Sequence, residues 1–66
     1  MVLTLREWRR LKELSQQEMA DRCNVHVNTY ILWEEHPERL TIEKARIVAN
    51  VLDVPFSQIN FSKKDA

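Results

Sequence analysis

The stretch Leu14-Ser15-Gln16-Gln17-Glu18-Met19-Ala20-Asp21-Arg22-Cys23-Asn24-Val25-His26-Val27 decides the fold. Ser15 and Glu18 have the spacing of a capping box, in which the hydroxyl serves a first-turn amide and the carboxylate reaches back. Leu14 and Met19, on either side, can close a hydrophobic staple. Met19, Ala20 and Cys23 mark the buried face of a short helix over about 16–22. Asn24 is its natural stop, because Asn tolerates the left-handed conformation better than most residues other than Gly. A second helix follows over about 27–35. Tyr30 and Trp33 are its large apolar residues, with Val25 just ahead. It ends before His36-Pro37, since the residue before a proline is pushed out of the helical region.

Working outward, Thr4-Leu5-Arg6-Glu7 is another capping box, and Leu5, Trp8 and Leu11 follow at helical spacing. This predicts a helix over about 5–13. Residues 36–40 read as a loop. Thr41 can cap a helix over 42–52, with Ile42, Ala45, Val48, Ala49 and Leu52 on one face and Asp53 at its end. Pro55 can occupy the first turn of a last short helix through Phe56 to Ile59. Residues 62–66 read as a frayed tail. The expected fold is all-α: five helices, no sheet and one domain over residues 1–66. The expected core is Leu5, Trp8, Leu14, Met19, Ala20, Val25, Tyr30, Trp33, Ile42, Val48, Leu52, Val54, Phe56 and Ile59.

The chain has 66 residues, 44% of them hydrophobic, no glycine and one cysteine. The absence of glycine argues against Gly-rich phosphate loops and most tight hairpins. An elaborate enzyme is improbable at this length, and no disulfide can form within one chain. The single thiol suits a reducing cytoplasm. No apolar run approaches the roughly 18 residues of a membrane span. Ten basic and ten acidic residues cancel, so distribution matters more than the sum. Arg6, Arg9, Arg10 and Lys12 face only Glu7 in the first twelve residues. The middle is acidic, and the balance from residue 39 onward is again basic. This pattern fits either a solvated mixed surface or basic flanks around a near-neutral reading element.

Two short helices joined by a tight turn at Asn24 form a helix-turn-helix arrangement. The DNA major groove is about 12 Å wide and admits one helix. The second helix of such a pair puts its N-terminal side chains against base edges. In Leu14–Ala20, Asn24-Val25, Trp33-Glu34 and Ala49–Val54 the sequence resembles the lambda-repressor/Cro type of helix-turn-helix, also called the XRE family, over residues 5–59. The family commonly has glycine where Asn24 and Asp53 stand here. It more often has Ser, Arg, Gln or Lys where this chain has Ile31 and Leu32.

The resemblance implies a compact five-helix DNA-binding domain and assigns roles. Gln16, with Gln17 beside it, begins the second helix, where an amide or side chain can meet a phosphate. Val27, Asn28 and Leu32 match groove-facing positions. Asn28 can pair bidentately with adenine, and Val27 and Leu32 can touch thymine methyls. His26 can cap the third helix or reach a phosphate, and Thr29 can contact phosphate or base. Arg39 and Lys44 match backbone-contacting regions. Arg9 and Glu34 match a structural ion pair between the first and third helices.

Other chemistry has less support. Cys23 and His26 have a Cys-x-x-His spacing, but a structural zinc needs four ligands. The chain holds one Cys and two His, so no metal or other cofactor is expected. The leading reading is a non-enzymatic, cytoplasmic transcriptional regulator of the phage or prophage Cro or stand-alone repressor kind. It would bind double-stranded DNA as a homodimer, one half-site per copy, with no membrane and no small-molecule ligand. Ile47, Val51 and Phe61 are extra apolar surface beyond the expected core. The alternative is a protein-interaction module, antirepressor or antitoxin-like, using the apolar face around Ile31 and Leu32.

Overall fold

Both capping boxes close, and each starts a helix. In the computed structural model, which describes residues 1–62, the Thr4 hydroxyl accepts from the Glu7 amide at 3.2 Å. The Glu7 carboxylate accepts from the Thr4 amide at 2.9 Å. Helix α1 follows over Leu5–Leu11. Ser15 and Glu18 make the same reciprocal pair, at 3.0 and 2.9 Å, ahead of α2 over Gln16–Cys23. Helix α3 spans Val27–Glu35. Helix α4 spans Ile42–Leu52, and the Thr41 hydroxyl accepts from the Lys44 amide at its start.

Three of these helices end the same way, without a glycine. Glu13, Asn24 and Asp53 each have φ of 59°. After each, the chain makes the paired backbone bonds of a Schellman motif. Leu14 N–H donates to Arg9 O and Glu13 N–H to Arg10 O. Val25 and Asn24 repeat this with Ala20 and Asp21, and Val54 and Asp53 with Ala49 and Asn50. The residue after each left-handed position is apolar. Leu14, Val25 and Val54 all fold back onto the core, which is the hydrophobic closure such motifs favour. Asn24 and Asp53 were expected at these stops. Glu13 was expected inside α1, but that helix ends two residues sooner because the chain must turn to reach the Ser15 cap.

Two expectations are corrected. Among the described residues there are four α-helices, not five, and a small sheet is present. Phe56–Gln58 is a single 3-10 turn. The chain then extends as β2, Ile59–Asn60, parallel to β1, Leu3–Thr4, with Leu3 opposite Ile59. Two residues per strand are too few to show a period in the sequence. The Trp8 indole N–H, donating to Gln58 O at 2.8 Å, and the N-terminal amine, donating to Gln58 Oε1 at 2.8 Å, tie the same ends together. The expected tail lies mostly beyond residue 62, outside the described residues.

The core gathers Leu5, Trp8, Met19, Ala20, Cys23, Tyr30, Val48, Ala49, Leu52 and Ile59. Trp33 packs against it, half-buried, with its ring edge-on to Tyr30 at 6.1 Å. Ile42 and Phe56 are not core residues, being 67% and 43% exposed. Ile42 is the first residue of α4 and Phe56 the first of the 3-10 turn, and at those ends the chain has not yet come over the core. Leu11, at the end of α1, is likewise exposed.

Met19→Ala should therefore cost about 2–5 kcal/mol in urea unfolding, whereas Ile42→Ala should stay within about 0.5 kcal/mol of wild type. Glu13→Gly should raise stability by up to about 1 kcal/mol, because Gly has no Cβ penalty at positive φ. Equal losses for Met19→Ala and Ile42→Ala would contradict the placement of the core.

Candidate functional site

The exposed face of α3 is built by what the opposite face must bury. Tyr30 is fully buried, and the Glu34 side chain, one turn on, is 3% exposed. At about 100° per residue, Leu32 then points almost directly away from Tyr30. It is 55% exposed, with Asn28 and Thr29 exposed beside it. Val27, expected on the same face, is half-buried and packs against the core instead.

Glu34 of α3 is held from two other helices, α1 and α2. Arg9 Nε meets Glu34 Oε2 at 2.5 Å, and Arg9 Nη1 donates to the Leu14 carbonyl at 2.8 Å. Gln16 Nε2 donates to Glu34 Oε1 at 3.0 Å. Burial alone would raise the Glu34 pKa, but the polar contacts of Arg9, Tyr30 and Gln16 outweigh it and hold the carboxyl below its ordinary value. Burial first, and then the neighbouring Glu34 carboxylate, push the Tyr30 hydroxyl strongly up, so it stays protonated.

This network changes what α2 offers. The Gln16 side chain is committed to Glu34, and the Gln17 amide donates to Asp21 on its own helix at 2.9 Å. At the start of α2, the groups left for an anion are the backbone N–H groups of the first turn that Ser15 does not cap. His26 caps α3: its Nδ1 accepts from the Asn28 amide at 3.1 Å. An accepting Nδ1 requires the neutral ring with its proton on Nε2. The exposed His26 therefore presents an N–H donor beside the start of α3.

Arg39 follows α3 in a 3-10 turn, Pro37–Arg39. With Thr29, Leu32, Trp33 and His36 it lines a hollow of about 200 Å³, which puts one exposed cation at the edge of the uncharged face. Lys44 sits apart on α4, half-buried in its first turn. The sequence reading missed the Gln16–Glu34 link, and its signal was slight: a glutamine at the start of one helix and a glutamate eighteen positions later. Cys23 is buried and free, and burial raises its pKa, which keeps the thiol protonated and unreactive. Among the described residues, no group of three His, Cys, Asp or Glu side chains could hold a metal ion, and no helix is long and apolar enough to cross a membrane.

Comparison with protein families matches residues 5–59 to the family described as Helix-turn-helix. Comparison with curated proteins and with solved structures gave no match.

Because Glu34 has a lowered pKa, its stabilisation is complete above its unfolded value near 4.5 and is lost as pH falls through the folded value. Glu34→Gln should cost about 3 kcal/mol at pH 7, and the gap from wild type should narrow as pH drops below about 4. Thermal melts across pH check this; a gap that stays constant to pH 2 would show that the carboxylate charge is not what stabilises the fold.

Proposed function

The chain belongs to the helix-turn-helix family of the lambda-repressor/Cro, or XRE, type, a family of DNA-binding transcription regulators, and we propose that α3 is its reading element in the major groove. The observation that carries this is the outward face of α3. Asn28, Thr29 and Leu32 are exposed together on it, and Arg39 stands at its edge. Residues at the start of a recognition helix meet base edges, and the flanking element meets the backbone. Asn28 is the base-reading residue in this account. Arg39, the His26 Nε2–H and the first-turn amides of α2 are the phosphate contacts. Gln16 supports the site through Glu34, Gln17 through the α2 surface, and Lys44 is a peripheral backbone contact.

One helix-turn-helix unit covers one half-site. The protein therefore acts as a homodimer on a near-palindromic operator, as a cytoplasmic regulator of the small phage or prophage Cro or stand-alone repressor kind. Residues 1–66 work as one DNA-binding unit without catalysis. The match of residues 5–59 to the helix-turn-helix family supports this reading, whereas the absence of charge from the first two turns of α3 weighs toward a partner less charged than DNA. A protein partner on Leu32 is the competing reading, favoured by the 55% exposure of that side chain.

Fluorescence anisotropy on duplex DNA at two salt concentrations separates them. Asn28→Ala should cost about 1–3 kcal/mol on the preferred site and relax one base pair in each half-site. Arg39→Ala should weaken binding to all duplexes alike and lower the salt slope by about one unit. Absence of DNA binding at any salt, with a protein partner lost on Leu32→Ser, would establish the competing reading.

A further inference from the structure

The groove-facing surface of α3 has an unusual chemistry. From Val27 to Trp33 the helix carries no Arg, Lys, Asp or Glu. Two acids follow. Glu34 is buried in its pair with Arg9. Glu35 is in the last turn and lines a different hollow, with Arg6 and Arg10 of α1. The commonest way to read guanine is an Arg or Lys bidentate to its O6 and N7, and cytosine is read by a carboxylate accepting from N4. Neither group is present in the first two turns of α3. Arg39, an exposed cation at the edge of this face, lies past the end of α3, where flanking residues meet phosphates.

Three exposed side chains remain for the base edges. Asn28 can donate and accept at once, which matches N7 and N6 of adenine. Leu32 is 55% exposed at the centre of the outward face and offers only methyl groups. Thr29 sits on the far side of Leu32, lining the same hollow, and offers a methyl and a hydroxyl. The apolar feature of the major groove is the C5-methyl of thymine. An exposed leucine there gains most where thymines supply methyls and gains nothing against the polar edge of a G·C pair.

We infer that the half-site facing Asn28, Thr29 and Leu32 is made of A·T pairs, with an adenine read by Asn28 and adjacent thymines recognised through their methyl groups by Leu32 and Thr29. This rests on the reading of α3 as the DNA-binding helix and names the bases that it takes. Leu32 is a specificity-determining residue beside Asn28, and its contribution requires the methyl rather than the hydrogen-bonding edge of the base.

The test is selection of the full chain on randomised duplexes, followed by affinity measurement on the selected site with single thymines replaced by deoxyuridine. That change removes a methyl and leaves every hydrogen-bonding group. Wild type should select A·T pairs at the half-site core and lose about four-fold in affinity for each contacted methyl removed. At the position facing Leu32, 5-methylcytosine should bind better than cytosine. In Leu32→Ala, an exposed change that leaves the core intact, the deoxyuridine penalty at that position should vanish. G·C pairs at the selected core, or full affinity on the deoxyuridine duplexes, would overturn the inference while leaving the DNA-binding reading intact. No retention of any duplex at low salt would overturn both.

Discussion

The Arg9–Glu34 pair is the constraint on which the rest of the structure depends. One guanidinium holds Glu34 of α3 and the Leu14 carbonyl at the end of the first turn, while Gln16 of α2 holds the other oxygen of the same carboxylate. Four segments meet at this one buried charge. A carboxylate taken from water at such a site is costly unless it is paired and hydrogen-bonded, so the three helices cannot move apart independently. With Glu34 and Tyr30 fixed inward, helix geometry alone turns Asn28 and Leu32 outward. The outward face of α3 is thus positioned from behind, by groups on its buried side.

The second constraint is the absence of glycine. A chain of this size buries only about 60% of its unfolded surface, so its helices must be short and closely turned. Here Glu13, Asn24 and Asp53 accept the left-handed conformation, and an apolar residue after each one packs down. A left-handed residue with a Cβ costs about 1–2 kcal/mol. Asn and Asp adopt that conformation more readily than Glu does. Glu13 is therefore the most strained of the three turns. It is held between the last turn of α1 and the Ser15 cap.

Much of this was legible before the structure. The caps at Thr4, Ser15 and Thr41 announce where helices begin, because an unsatisfied first turn demands a side-chain acceptor. Asn24 and Asp53 announce where two helices end for the conformational reason just given. The ends of the chain were harder. The pairing of Leu3 with Ile59 depends on residues fifty-six positions apart, and two-residue strands carry no alternation. Apolar identity also overstated burial for Ile42 and Phe56, since a residue at the start of a helical turn need not face inward. At the site, the family spacing placed Arg9 opposite Glu34 and Asn28 on the outward face. It could not reveal that Gln16 is drawn to Glu34, because that bond needs the relative position of two helices.

The most direct measurement is an amide NMR titration of the protein with a duplex carrying its selected site. Shift changes at the first turn of α2, at Asn28, Thr29 and Leu32, and at Arg39, with smaller ones at Lys44 and with the rest of α4 and the β1–β2 pair unmoved, are the result predicted. Changes centred on α4 and Phe56, or none on α3, would contradict the central claim that the outward face of α3 is the DNA-reading surface.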